Sequence, residues 1–402
     1  MKTRFCAAKR FAAAAMAALT AMPLLCGCEE SSKAPETPEE FHNAMVDRSV
    51  VSVGNTERIA KVFDRAAKGE NITMAYIGGS ITEGYSVGAQ SPLCYVSLSA
   101  QNFQTDYMQG GTVTCQNNGL SGTPSILGNL RAPKELLSTD PDVIFIEFAV
   151  NDGGEYEYQT AYESLVRTCV EQENQPAVIL LFTYMETGHT CQDNQQKIGE
   201  HYDLGMISVR DAIVPEMEAG RMVWDDYSDD DVHPNQAGHA LVAEFIDRYF
   251  EKAAAVKKSE AYAVPEETLH PVLYLDTALW DATNLRFREG AWDMRSSNNH
   301  FPGGFTYVPG RENESLWFEV EAKDLFIVYK KAASNNYGMI GVYVNGALEA
   351  IVNGYGTNAW GGPAVDLVYE GETRQKLEVE IRLLDDQTEK AFEVFAIGTS
   401  GK

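Results

Sequence analysis

Over about residues 48–255 the chain alternates between two hydrophobic patterns. Short, nearly unbroken apolar runs recur at 72–77, 143–148 and 177–182, as in strands buried on both faces. Longer stretches with helical spacing lie between and beyond them, at 95–103, 162–173 and 238–250. In the last, Leu241, Phe245 and Tyr249 recur every fourth residue with Val242 and Ile246 alongside, which makes one apolar face. This alternation predicts a parallel sheet covered by helices on both sides, with a ligand site at the carboxyl ends of the strands.

The pattern changes after a stretch rich in Lys, Ala and Glu at 253–267. β-Prone runs follow at 316–320, 325–329, 340–346 and 376–381, the third ending in Asn345-Gly346, a strong hairpin signal. Several short strands without helical spacing predict an antiparallel β-sandwich of roughly 130 residues. The chain therefore divides into a signal segment at 1–27, a tether at 28–45, an α/β domain at 46–255, a linker at 256–268 and a β-sandwich at 269–402.

At the N-terminus, Lys2, Arg4, Lys9 and Arg10 precede an Ala-rich apolar run that is short for a membrane span, the form of a secretory signal. It ends in Leu25-Cys26-Gly27-Cys28, which resembles a bacterial lipoprotein cleavage box. The resemblance implies a mature chain that begins at a lipidated Cys28 and is held at the cell surface, with plain secretion as the alternative. Residues 29–40 are acidic, contain Pro and have almost no large apolar side chains, so they read as flexible. Removing the positive residues before Cys28 lowers the formal charge from -26 to -30. Such a surface excludes nucleic acid as a partner and leaves membrane contact to the lipid anchor. Cys94, Cys115, Cys169 and Cys191 remain, and disulfide pairing and free thiols are both open. No Cys-x-x-Cys or His-x-x-x-His spacing among the remaining residues suggests zinc.

The chemistry lies in short pieces spread along the α/β region. Gly78-Gly79-Ser80 follows the first strong strand, where glycines permit a tight turn and close approach of a substrate. Asp230 and His233 are spaced so that a carboxylate can hold one imidazole nitrogen while the other faces a serine. Asn151 ends another strand-like run and offers an amide donor, and Gly122 offers an unobstructed backbone N–H. Each piece has a plainer reading: a structural turn for Ser80, an acidic loop for 225–231, loop formers for Gly122 and Asn151. In this order they supply a nucleophile, a base, its orienting acid and donors for an oxyanion.

The ordered set resembles the sequence blocks of the SGNH, or GDSL-like, hydrolase superfamily, in particular its Gly-Gly-Ser-Ile-Thr branch. The resemblance covers about half the chain. It implies a flavodoxin-like three-layer α/β/α sandwich, and ester hydrolysis through an acyl-enzyme without metal or organic cofactor. By position Ser80 matches the nucleophile, Asp230 and His233 complete the triad, and Gly122, Asn151 and the Ser80 N–H match the oxyanion donors. Two departures stand out. Gly79 replaces an Asp found in many members, and Ala149 replaces the Gly of the third block.

Several secreted bacterial members with a β-sandwich beside the catalytic domain remove acetyl groups from polysaccharides. The arrangement implies an acetylated polysaccharide as substrate and a cell-surface carbohydrate esterase. The β region carries Trp280, Trp292, Trp317 and Trp360, and the turn-rich stretch 353–362, with Tyr355 and Trp360, is the leading candidate for contact with sugar. A lipase or phospholipase using the same triad, and an inactive glycan-binding surface lipoprotein, are the alternatives.

Overall fold

The computed structural model describes residues 34–401, apart from 258–259, 272–273, 289 and 312–314. The signal segment and Cys28 lie outside the described residues. The first described helix is α1 (Pro38–Arg48). It is followed by β1 (Val50–Ser52), α2 (Glu57–Ala67), β2 (Ile72–Gly78), the single turn α3 (Ser80–Glu83) and α4 (Tyr95–Asp106). Next come β3 (Val113–Gly119), α5 (Ser125–Glu135), β4 (Val143–Glu147), α6 (Tyr156–Val170) and β5 (Ala177–Phe182). The domain closes with α7 (Gln192–His201), β6 (Gly205–Ser208), α8 (Val209–Glu218) and α9 (Gln236–Ala254).

The strands stand in the order β1-β6-β5-β4-β2-β3, with β2 to β6 mutually parallel and β1 an antiparallel edge. The period of two along each strand sorts its residues between the layers. Met74 and Tyr76, Val143 and Phe145, and Ile179 and Leu181 face a core shared with α2, α4 and α9. Ala75 and Ile77, Ile144 and Ile146, and Val178 and Leu180 face the opposite core, closed by α6 and α7. Burial on both faces explains the unbroken apolar runs, and the result is the expected three-layer α/β/α sandwich.

The expected tether at 28–45 ends earlier than its composition suggests. Thr37 caps α1, accepting from the Glu40 N–H while the Glu40 side chain returns to the Thr37 N–H, and Pro38 opens the first turn. Met45 and Val46 then bury against the domain core, so packing outweighs the acidic composition of the first turn.

The C-terminal domain is all antiparallel: β7 (Ala278–Trp280), β8 (Phe287–Arg288), β9 (Trp292–Met294), β10 (Phe305–Tyr307), β11 (Leu316–Ala332), β12 (Met339–Val344), β13 (Ala347–Asn353), β14 (Trp360–Leu383) and β15 (Phe392–Ser400). The long strands β11 and β14 pair along their length, with irregularities on either side of Asp324. One half of β11 also pairs β8 and the other half β15. Leu325, Ile327 and Tyr329 point into the β core. Phe326 and Val328, on the other face, join Tyr274, Phe301 and Phe395 against Leu120, Leu127 and Leu130 of the N-terminal domain.

Polar contacts secure the same junction. Asn129 Nδ2 donates to Tyr274 O at 2.9 Å, Thr277 Oγ1 donates to Asn129 O at 2.8 Å, and His300 Nε2 lies 2.9 Å from Glu135 Oε1. The buried Glu163 carboxylate receives the N–H groups of Leu269 and His270 and the Tyr202 hydroxyl, which straps the chain just after the linker to α6. An apolar seat with buried hydrogen bonds holds the two domains in one arrangement.

Candidate active site

β2 delivers Ser80 at its carboxyl end, where the strand turns directly into α3. The turn is tightly enclosed. A Cβ on Gly78 would lie 2.1 Å from Thr82 Oγ1, and one on Gly79 would lie 2.0 Å from Asn151 Oδ1. Asn151 therefore fills the space that a side chain at position 79 would need, which accounts for glycine there.

Asp230 and His233 arrive on the loop before α9. Asp230 Oδ1 accepts from the N–H groups of Val232 at 2.8 Å and His233 at 2.6 Å, and Oδ2 lies 2.8 Å from His233 Nδ1. His233 Nε2 lies 2.9 Å from Ser80 Oγ. A carboxylate on Nδ1 fixes the tautomer that leaves Nε2 free to accept the Ser80 proton. Partial burial works against the Asp230 anion, but these donors outweigh it and hold its carboxyl below the ordinary range. Ser228 Oγ lies 2.8 Å from Asp230 O and 2.5 Å from His233 O, with one proton to share between them, and Trp224 Nε1 donates to Asp230 O, so the loop is braced from behind.

Of the other acids of the run, Asp226 accepts from the Val223 N–H and Asp229 from Asn235 Nδ2, and no trio of His, Cys, Asp or Glu among the described residues is arranged to hold a metal. His239 plays no part in the relay. It is buried on α9 with Nδ1 accepting from the Tyr95 N–H, and burial beside His233 pushes its pKa down to about 4. The four cysteines Cys94, Cys115, Cys169 and Cys191 are free thiols.

The candidate oxyanion residues lie on neighbouring loops. Asn151 lies in the turn after β4 with its amide against Gly79. Asp152, buried beside it, accepts from the Ser125 N–H at 2.8 Å and from Gln195 Nε2 at 3.0 Å, tying this turn to the start of α5. Gly122 lies in the preceding loop with a φ of +67°, a conformation that glycine adopts without strain. Glu83, at the end of α3, accepts from the Ser121 N–H at 2.9 Å and so fastens the Gly122 loop to the nucleophile turn.

Two aromatic side chains lie beside the candidate residues, one at His233 and one at Gly122. The Tyr85 ring lies 4.5 Å from the His233 ring, centroid to centroid, and is 63% exposed. Trp360 comes from the C-terminal domain, where it begins β14. Its Nε1 is 2.9 Å from where a Gly122 Cβ would lie, and its side chain is 66% exposed. The stretch 353–362 is thus placed at the catalytic face of the other domain. Its aromatic content and turn formers are readable in the sequence, but its position over Gly122 depends on domain packing, which no local pattern encodes. Tyr85 carried no comparable signal.

Residues 76–241 match the sequence profile of the GDSL-like Lipase/Acylhydrolase family. A two-domain esterase (CEX) active on acetylated mannans is similar over both domains. In structures with and without co-crystallized mannopentaose, it is 28% identical with a TM-score of 0.79, covering 89% of this chain and 98% of that one. No curated protein matches the sequence.

Proposed function

We propose that this chain, whose residues 76–241 belong to the GDSL-like lipase/acylhydrolase family, is a serine esterase that removes O-acetyl groups from a polysaccharide. The carrying observation is the unbroken hydrogen-bond relay Asp230–His233–Ser80, with 2.8 and 2.9 Å steps, at the carboxyl edge of the sheet. Similarity across both domains to an esterase active on acetylated mannans supports the choice of substrate and makes acetylated mannan the first polymer to test.

In this reading Ser80 Oγ attacks the acetyl carbonyl while His233 Nε2 takes its proton. The negative charge that develops on the carbonyl oxygen is met by the N–H groups of Ser80 and Gly122 and the Asn151 amide. The tetrahedral species collapses with cleavage of the bond to the sugar oxygen, which leaves with the proton from His233. Water, deprotonated by the same nitrogen, then releases acetate from Ser80 and restores the hydroxyl. Asp230 stabilises the imidazolium in both halves. Trp360, exposed beside Gly122, offers an apolar ring face on which a sugar next to the acetylated residue can rest. Lipidation at Cys28 would hold the enzyme at the cell surface with its substrate.

A covalent probe tests the nucleophile independently of substrate identity. An alkyl phosphonate ester should inactivate the protein with a mass increase on the peptide containing Ser80. Labelling of another residue, or none at all, would contradict the assignment.

A further inference from the structure

Beneath the nucleophile turn lies a carboxylate for which the proposed reaction has no use. Glu147 ends β4 in an otherwise apolar stretch and is completely buried. A carboxylate in such a place is costly unless donors answer it. Its Oε1 accepts from Thr183 Oγ1 at the end of β5 and its Oε2 from Thr82 Oγ1, each at 2.7 Å. Since Thr82 has one hydroxyl proton and gives it to Glu147, the Tyr95 hydroxyl, 2.8 Å away, is the donor in the next link. The turn is pressed against this carboxylate so closely that a Cβ on Gly78 would lie 2.8 Å from its Oε2.

Thr82 lies two residues after Ser80, so its hydroxyl contact grips the nucleophile turn while the Thr183 hydroxyl anchors the other oxygen. We infer that ionised Glu147 is a positioning residue for Ser80: it holds the turn from below and thereby fixes both Ser80 Oγ against His233 and the Ser80 N–H. The ionised carboxylate accepts from both hydroxyls at once, whereas protonation would force one of these hydrogen bonds to reverse direction.

The titratable groups around Glu147 are Cys94 and Tyr95 from α4, Asp152 beyond β4, Tyr162 from α6 and Tyr227 before α9. Burial keeps the tyrosines and the thiol neutral at neutral pH, and none of these groups supplies a positive charge. Burial also pushes the Glu147 pKa up to about 7 against the pull of its donors. The grip should therefore loosen as pH falls through neutrality.

This inference rests on Ser80 being the nucleophile, and the experiment separates the two. Steady-state hydrolysis of p-nitrophenyl acetate is measured from about pH 5 to pH 9, with melting curves, for the wild type, Ser80→Ala, Glu147→Gln and Thr183→Val. In the wild type the acid limb of log kcat should be steeper than unit slope, because two groups must lose protons. Glu147→Gln should lower kcat by about 10- to 100-fold, the scale of a misplaced reacting group, with little change in KM and an acid limb of unit slope. Thr183→Val should lower kcat less and keep the steep limb. A wild-type limb of unit slope, a Glu147→Gln variant with full kcat, or one whose limb stays steep would each overturn the inference, and the first needs no variant to fold. Absence of Ser80-dependent turnover in the wild type would instead overturn the esterase reading itself.

Discussion

The Trp360 indole, carried by the C-terminal domain, stands over Gly122 of the N-terminal domain, its Nε1 2.9 Å from the place a Cβ would take. The β domain thus supplies part of the wall of the candidate site. Only a residue without a side chain, and free to hold a φ of +67°, allows the two to approach this closely.

Replacing Trp360 by Ala removes the exposed ring while leaving the relay in place. KM for an acetylated polysaccharide should rise on the order of tenfold, equivalent to about 1.4 kcal/mol of binding, and by more than KM for p-nitrophenyl acetate. Equal changes for polymer and small ester would show that the ring does not contact the glycan.

Asp230→Asn keeps an oxygen for the Val232 and His233 N–H groups but offers the imidazole no anion. The tautomer that faces Ser80 is then no longer favoured, and kcat should fall by about 10⁴-fold with the melting temperature nearly unchanged. A fall of less than tenfold would show that His233 acts without its carboxylate partner.

Asp247 on α9 is a cost to stability unrelated to the site. Burial, with Asp106, Glu251 and Glu244 nearby, raises its pKa to about 7 even though Asn102 Nδ2 donates to it at 2.6 Å. Between about pH 4 and pH 7 the folded chain binds more protons there than the unfolded chain, so this group's contribution to stability declines as pH rises. Asp247→Asn keeps an acceptor for Asn102 and abolishes the titration. Its gain in urea stability over the wild type should grow by about 1–2 kcal/mol from pH 5 to pH 8, allowing for solvent screening. A gain independent of pH would contradict this account.

Phe326 joins the domains, packing edge-on against Tyr274 with ring centroids 5.2 Å apart. Phe326→Ala should cost about 3–4 kcal/mol in urea unfolding. It should also raise KM for the polymer, because Trp360 loses its firm seat. Unchanged polymer kinetics at reduced stability would mean that Trp360 is held by its own strand alone.

Much of this arrangement is readable from local pattern. The apolar runs at β2, β4 and β5 mark the buried strands, and the three-residue spacing of Asp230 and His233 corresponds to a single turn in which Asp230 holds the imidazole that faces Ser80. Other features fail to show for physical reasons. Glu147 is hidden within an apolar run, although a lone carboxylate in a strand buried on both faces is itself a signal that donors await it. The run at 325–329 reads as a strand, but its burial on both faces in an antiparallel domain also indicates a second partner, here α5. Thr37-Pro38-Glu39-Glu40 is a legible capping box and proline start, outweighed in the reading by the acidity around it. The meeting of Trp360 with Gly122 spans more than two hundred residues and follows only from domain packing.

The most direct test is acetate release by the purified protein from acetylated mannan, run beside Ser80→Ala, acetylated xylan, O-acetylated peptidoglycan and a long-chain ester. The account predicts release from acetylated mannan that disappears in Ser80→Ala and exceeds turnover of the long-chain ester. Release that survives in Ser80→Ala, or turnover confined to the long-chain ester, would contradict it.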